Sequence, residues 1–299
     1  MPPDNQQECS PMRPSPAFDI APVSLLYVPG HKGRALEKAR GLAADMLIID
    51  LEDAVPAAEK PAARAGALAA MQGGFPHKII AVRINARGTA HHEDDLALLA
   101  TIRPDAVVLP KVDRAQDVAA IAGDWPIFAM VETALAIQQA EAIAAHERVV
   151  GLLAGLNDLA HDLQLPSGAG GAAGQDRGAM MVAMQTMILA ARAAKKLVYD
   201  GVYNAIDDAP GFSTEAAEGY RLGFDGKTLI HPAQIGPCNT AFAPPAAVLA
   251  EAAALIAAAT DGAERYDGRM IEAMHVDAAR RMIDRHQMRH TRRTAMVAA

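Results

Sequence analysis

Residues 126–133 read PIFAMVET. Five apolar residues, 127–131, have the length and character of a strand buried on both faces, and the run ends on a carboxylate, Glu132, followed by Thr133 and a segment with helical spacing. Working outward, apolar runs of strand length recur at 24–28, 46–50, 79–83, 106–109, 149–153, 197–200 and 224–229. Helical segments separate them at 33–43, 58–71, 92–101, 114–122, 134–144, 176–195, 213–222 and 232–240. Strict alternation of strand and helix predicts a parallel sheet, and eight units predict an α/β fold closed into a (β/α)8 TIM barrel rather than an open doubly wound sheet. No GxGxxG follows the first strand and no Walker motif occurs, which removes the usual signs of dinucleotide or nucleoside-triphosphate binding.

The chain has 299 residues, 51% of them hydrophobic but only 4% aromatic, so the core must be built from aliphatic side chains and Met. A net charge of −7 argues against a nucleic-acid partner. Cys9 and Cys238 have no metal-type spacing and support neither a disulfide framework nor a zinc site, which fits a cytoplasmic protein. The N-terminus lacks the apolar core of a secretory signal, and the Ala-rich stretch 246–259 is too short and too weakly apolar to span a bilayer. Three regions are expected: a Pro-rich disordered leader (1–21), a catalytic barrel (22–243) and a C-terminal helical arm or lid (244–299), the last helix running from Met270 to about His290 after a turn at 261–268. A Gly/Ala-rich stretch, 167–175, reads either as a mobile lid or as an insertion without a role.

Barrels place their catalytic groups where strands end. Those ends carry Asp50, Glu52 and Asp53; Arg83 and Asn85; Lys111; Glu132; Asn157 and Asp158; Asp200 and Asn204; and His231. Carboxylates crowded on one face repel, and a hard divalent cation relieves the repulsion. Glu132 and Asp158, on neighbouring strand ends, are the best-placed pair for Mg2+ or Mn2+; the competing reading of Asp158 is a helix cap. Arg83 and Asn85 can meet a substrate carboxylate, or Arg83 can simply pair with Asp50 or Glu52, which then support the metal and Arg83 from behind. Lys111 raises a rival chemistry, a Schiff base with a carbonyl substrate, against the blander reading of a rim ion pair. Lys32, Arg34 and Lys38, joined by Lys60 and Arg64, form a cationic region suited to phosphate.

In order, the motifs LLYVPGHKGRALEKA, DMLIIDLEDAVPAAEKPAAR, VRIN, VVLPKV, MVET, GLNDL and GFDGKTLIHPAQI, with a weaker match in DGRMIEAMHVDAARRMI, resemble the citrate lyase β-subunit family within the HpcH/HpaI aldolase group. The resemblance spans about residues 22–243. It implies a barrel, commonly a homotrimer or hexamer, that uses Mg2+ to cleave or condense acyl-CoA thioesters of the malyl, citramalyl, β-methylmalyl or citryl type. By motif it carries the metal ligands onto Glu132 and Asp158, the arginine that binds the oxo-acid carboxylate onto Arg83, and the CoA region onto Lys32, Arg34, Lys38, Lys60 and Arg64. Two departures stand out. Asn157 replaces an acid common beside the metal aspartate, and Glu272 replaces the catalytic Asp that the arm supplies, often to a neighbouring subunit.

The leading expectation is therefore a Mg2+-dependent carbon–carbon lyase producing an oxo acid and an acyl-CoA, with Arg83, Glu272, Asp50 and Glu52 serving catalysis. Two alternatives stand beside it: a subunit that works only with citrate lyase α and carrier subunits on a carrier-bound citryl thioester, and a metal-dependent aldolase of free oxo acids without CoA.

Overall fold

The computed structural model describes residues 18, 20–76, 78–166, 177–260 and 264–298. Within them, β1 (Ser24–Pro29), β2 (Met46–Asp50), β3 (Ile79–Arg83), β4 (Ala106–Leu109), β5 (Ile127–Val131), β6 (Val149–Ala154), β7 (Leu197–Asp200) and β8 (Gly226–Leu229) pair in sequence order, all parallel, and close through β1 and β8 into a barrel. The expected (β/α)8 barrel is the fold, and each expected strand lies within two residues of an observed one.

Helices cover the strands from outside: α1 (Gly33–Ala39), α2 (Lys60–Gln72), α3 (His92–Ile102), α4 (Ala115–Ala119), α5 (Ala134–Gln138), α6 (Ala140–Ala145), α7 (Leu156–Asp162), α8 (Met181–Ala193), α9 (Ala209–Leu222) and α10 (Ile235–Ala241). Local chemistry sets their ends. The Thr133 hydroxyl caps α5 by accepting from the Ala136 amide, Asp208 caps α9, and Gly223 stops α9 in the left-handed region at φ 107°.

Because side chains alternate along a strand, each strand has an inward and an outward set. Leu25, Met46, Ile48, Ile79, Ala81, Ala106, Val108, Phe128, Met130, Leu153 and Tyr199 fill the barrel interior, and outward apolar strand positions such as Leu26, Leu47, Ile49, Val82, Val107, Ala129 and Val131 join the larger core under the helices. Aromatic rings brace the interior: the Phe128 ring meets Tyr199 edge-on at 5.9 Å and Phe18 at 5.3 Å. Phe18 thus packs into the barrel, and Ala21 is buried, so packed chain begins earlier than the expected leader boundary at residue 21. Residues 1–17 and 19 of that leader, and the stretch 167–175, lie outside the described residues.

After α10 come α11 (Ala246–Ala258), a hairpin of β9 (Glu264–Tyr266) and β10 (Arg269–Ile271), and α12 (Ala273–Ala298). The hairpin corrects the expected plain turn, and Met270 and Ile271 belong to it rather than to the last helix. Asp267 and Gly268 both have positive φ, 45° and 78°, the two-residue turn that matches the twist of paired strands. The stretch Pro232–Ala258 is long and apolar enough by composition to suggest a membrane span, with mean hydropathy 1.7. It is broken, however, between α10 and α11 at Pro244 and Pro245. The 13 residues of α11 reach about 20 Å, short of the roughly 30 Å of a hydrocarbon core.

The arm does not cover its own barrel mouth. Arg293 pairs with Asp45 at 3.0 Å, Arg289 donates to the Ala21 carbonyl, and Arg285 approaches Asp225 at 3.9 Å, all at the N-terminal ends of strands. The expected lid is, within one chain, a strut on the opposite face.

Candidate active site

The alternation that fills the barrel also selects what reaches its C-terminal mouth. Continuing the inward positions Ile48, Ala81 and Met130 by two residues gives Asp50, Arg83 and Glu132. These line a cavity of about 320 Å3 with Asp158, Asn157 and Asn204. A larger cavity of about 470 Å3 lies at the opposite end under α12, lined mainly by Phe242, Arg289 and Arg293. Barrel chemistry belongs at the C-terminal face, so the smaller cavity is the candidate site.

Arg83 is fixed from behind. Its Nε and Nη2 donate to the two oxygens of buried Asp50 at 2.7 and 2.6 Å, Nη1 lies 3.2 Å from Glu52 Oε2, and the guanidinium stacks on Tyr27 at 4.6 Å. Asp50 in turn accepts from the Glu52 and Ala54 amides. The ion-pair reading of Arg83 is therefore correct as geometry; Nη1 also donates to Met130 Sδ at 3.9 Å, which leaves one Nη2 N–H for an acceptor in the cavity. Burial pushes the Glu52 carboxyl up to about 7, Arg83 opposing.

Glu132 is almost fully buried, and its Oε1 accepts from the Lys111 amide at 2.6 Å. Burial raises its pKa to about 7, with the Lys111 charge pulling the other way. Asp158 is not the cap of α7; Gly155 holds that position, and Asp158 sits in the first turn with its carboxylate in the same cavity as Glu132. The Lys111 ammonium contacts Asp158 Oδ2 and lies 3.9 Å from Glu132 Oε1. Burial would lower the Lys111 pKa, but bonding to Asp158 and the charges of Glu132 and Asp158 outweigh it and hold the amine above its ordinary value. A Schiff-base nucleophile must be neutral, so this environment disfavours that chemistry.

Two carboxylates that already share one cation fit a hard divalent ion, which typically takes one or two protein carboxylates and leaves positions for water and substrate oxygens. Glu132 and Asp158 are the pair that could hold it; among the described residues no group of three or more His, Cys, Asp or Glu side chains is placed to do so. Metal binding needs both carboxylates ionised. With Glu132 raised to about 7, the proton it carries below that pH must leave before metal enters. Apparent Mg2+ affinity is expected to fall up to about tenfold per unit below pH 7 and to level off above it, as titration calorimetry at pH 6 and 8 will read.

Gly155 makes the pairing of β5 and β6 possible at this point. A Cβ there would stand 2.5 Å from Glu132 Oε2 and closer still to the Glu132 Cβ. Gly155→Ala is expected to displace Glu132 and weaken Mg2+ binding by about tenfold or more, together with a clear drop in Tm because the Glu132 Cβ moves only with its backbone, measured by the same titration and by thermal melting.

Other expected residues are used differently. Asn85, expected at substrate, spends its amide on Leu51 O and Asp95 Oδ2 at 2.9 and 2.6 Å and is buried behind the rim. Lys60 is buried with its ammonium 2.7 Å from the Leu51 and Glu52 carbonyls, so it braces the Asp50–Glu52 turn instead of facing phosphate. Arg64 ties α2 to α3 through Asp94 and Asp95. Lys32, Arg34 and Lys38 are exposed, and no side-chain hydrogen bond or ion pair engages them among the described residues. Asn157 exchanges amide hydrogen bonds with Asn204 at 2.8 and 3.3 Å, joining α7 to the segment after β7. His231 caps the turn Pro232–Gln234.

Asp200 turns outward by alternation, next to inward Tyr199, into a buried network that sequence reasoning missed. Its oxygens meet Arg177 at 2.5 Å and Lys227 at 2.9 Å, and Lys227 also meets Glu215 at 2.7 Å. Glu272 follows β10 and bonds through its amide to His275; it is not among the residues lining the cavity of its own chain.

Comparison with known proteins identifies the relatives of this chain. A (3S)-malyl-CoA thioesterase from Cereibacter sphaeroides is 43% identical over 271 residues, covering 87% of this chain and 93% of that one. A citrate lyase subunit beta-like protein from Mycobacterium tuberculosis is 36% identical over 262 residues, covering 87% and 94%. The crystal structure of CitE from Mycobacterium tuberculosis, solved in complex with magnesium, acetoacetate and coenzyme A, superposes with a TM-score of 0.80 at 34% identity and covers 89% of this chain and 99% of that one. The family model for HpcH/HpaI aldolase/citrate lyase matches residues 23–232, and the chain belongs to that family.

Proposed function

We propose that this protein is a Mg2+-dependent carbon–carbon lyase that cleaves, or forms, a 3-hydroxyacyl-CoA thioester of the malyl or citramalyl type. The convergence of Glu132, Asp158 and a pre-anchored Arg83 on one cavity carries the reading. When bound, Mg2+ supplies Lewis-acid polarisation of the substrate's hydroxyl and neighbouring carboxylate oxygens. Arg83, held by Asp50 and Glu52, grips that carboxylate in one orientation. Its fixed charge also favours the oxo acid as the bond between carbinol carbon and thioester α-carbon breaks. The hydroxyl passes its proton to water as the new carbonyl forms, and the α-carbon gains one, for which Glu272 is the donor. The unengaged Lys32, Arg34 and Lys38 suit the phosphates of the CoA arm.

In this reading Glu272 is supplied to the mouth of another copy. It lies about 25 Å along the helix direction from Arg289, at an arm tip where Met270 and Met274 are 71% and 61% exposed, an apolar surface that a neighbour would cover. We assign a homotrimer with each arm over an adjacent barrel, in the cytoplasm, where the free, buried Cys238 is at home. Co-expressed Glu132→Gln and Glu272→Gln chains are expected to recover roughly a quarter of wild-type activity, because random mixing builds intact sites across interfaces. No recovery would place Glu272 on its own barrel.

A second reading, thioester hydrolysis, is favoured by the 43% identical relative named a thioesterase. Assaying malyl-, citramalyl-, β-methylmalyl- and citryl-CoA with and without Mg2+ separates the two. Oxo acid without free thiol marks a lyase, and free CoA thiol with the intact hydroxy acid marks hydrolysis.

A further inference from the structure

We infer that Lys111 is an internal placeholder for the divalent cation: its ammonium stands between Glu132 and Asp158 while the metal is away and is expelled when the metal enters. This rests on the reading of those two carboxylates as metal ligands. The geometry is specific to this lysine. Its ammonium contacts Asp158 Oδ2 and lies 3.9 Å from Glu132 Oε1, so it addresses both groups that would hold the metal. Its amide binds that same Glu132 oxygen at 2.6 Å, which fixes the carboxylate whether or not the side chain stays.

Lys111 has φ of 54°, a left-handed conformation uncommon for a residue with a long side chain. Such conformations persist where the surroundings enforce them and cluster at functional sites. Here the turn after β4 lets one residue present both its amide and its ammonium to Glu132. The side chain is 42% exposed, which gives the ammonium a way out to solvent.

Charge decides what can displace it. Two carboxylates in a site with poor solvation repel, and one ammonium balances half of their charge. A monovalent ion offers no more charge than the ammonium it would replace, whereas a divalent ion balances both. The lysine therefore screens the two carboxylates from each other, at the expense of metal affinity, and discriminates against monovalent cations.

The test is Mn2+ titration, reading free Mn2+ by electron paramagnetic resonance, on the full chain and on Lys111→Met, Lys111→Arg and Glu132→Gln. Lys111→Met is expected to bind Mn2+ about fivefold more tightly, the worth of one half-exposed ion pair, and Lys111→Arg to resemble wild type. Equal or weaker binding by Lys111→Met, with wild type binding normally, overturns the placeholder alone. No binding by wild type and Lys111→Met together overturns the ligand reading and the inference with it. Wild-type protein gives an independent readout: Mg2+ is expected to speed acylation of Lys111 several-fold, followed by mass spectrometry at that residue, and an unchanged rate overturns the inference.

Discussion

Replacing Glu132 by glutamine is expected to lower lyase activity by about 10^3-fold or more, because metal polarisation contributes several kcal/mol to the transition state and each 1.4 kcal/mol is a factor of ten. The substitution is nearly isosteric. The side-chain oxygen can still accept from the Lys111 amide, and Gly155 still leaves room beside it. What disappears is a negative charge. The folded state should not suffer for its loss: burial raises the Glu132 pKa from 4.5 to about 7, so the fold favours the neutral form. The sign follows from proton linkage. A carboxyl whose folded pKa is raised binds more protons folded than unfolded, so its stabilising contribution is complete below about pH 4.5 and is lost as pH rises through 7. At pH 8 the glutamine variant is therefore expected to melt no lower than wild type while Mg2+ binding and turnover collapse. A variant that stays active, or that loses activity only in step with Tm, would remove Glu132 from the metal site.

The same residue shows what the sequence could and could not disclose. Eight apolar runs separated by helices carried the barrel, since a two-residue period and a 3.6-residue period are both visible in composition. The mouth residues Asp50, Arg83 and Glu132 were legible because each ends its strand. Asp200 ends its strand as well, yet it faces the helices, and only counting inward and outward positions from Tyr199 separates the cases. Asn85, Lys60 and Arg64 were misread for a different reason. Their partners, Asp95, the Leu51 carbonyl and Asp94, come from other elements 10, 9 and 30 residues away, and no helix or strand spacing rule reports such a bond. The β9–β10 hairpin did carry a local signal, Asp267–Gly268 between short strand-capable segments, hidden by the helical character on either side. The arm's place at the bottom of the barrel depends on Arg285, Arg289 and Arg293, which in sequence resemble any solvated basic face.

Lys227→Met is expected to be the most destabilising single change outside the mouth, by about 3–5 kcal/mol, the usual result of removing one partner from a buried ion pair. Lys227 has no exposed surface, and its ammonium lies 2.9 Å from Asp200 Oδ2 and 2.7 Å from Glu215 Oε1. Arg177 also reaches Asp200 and lies 3.2 Å from Glu218. Three carboxylates thus share two cations, and the loss of one leaves Asp200, Glu215 and Glu218 facing Arg177 alone. Methionine fills the volume but supplies no charge, so Asp200 must be left under-compensated or take up a proton. Because β8, which carries Lys227, closes the barrel on β1, the damage reaches the whole fold rather than one helix, and Tm is expected to drop by roughly 10 °C. Pairing Lys227→Met with Glu215→Gln should recover part of the loss, since the second change removes one of the stranded charges; residues in one ion-pair network commonly couple by about 0.5–3 kcal/mol. The mouth is a separate matter. Lys227 points away from the cavity that Glu132, Asp158 and Arg83 line, so folded Lys227→Met protein should keep its turnover well below its melting temperature. A stability loss below about 1 kcal/mol would mean that the network is solvated in solution, and a loss of turnover in fully folded protein would mean that it positions the mouth as well as holding the barrel shut.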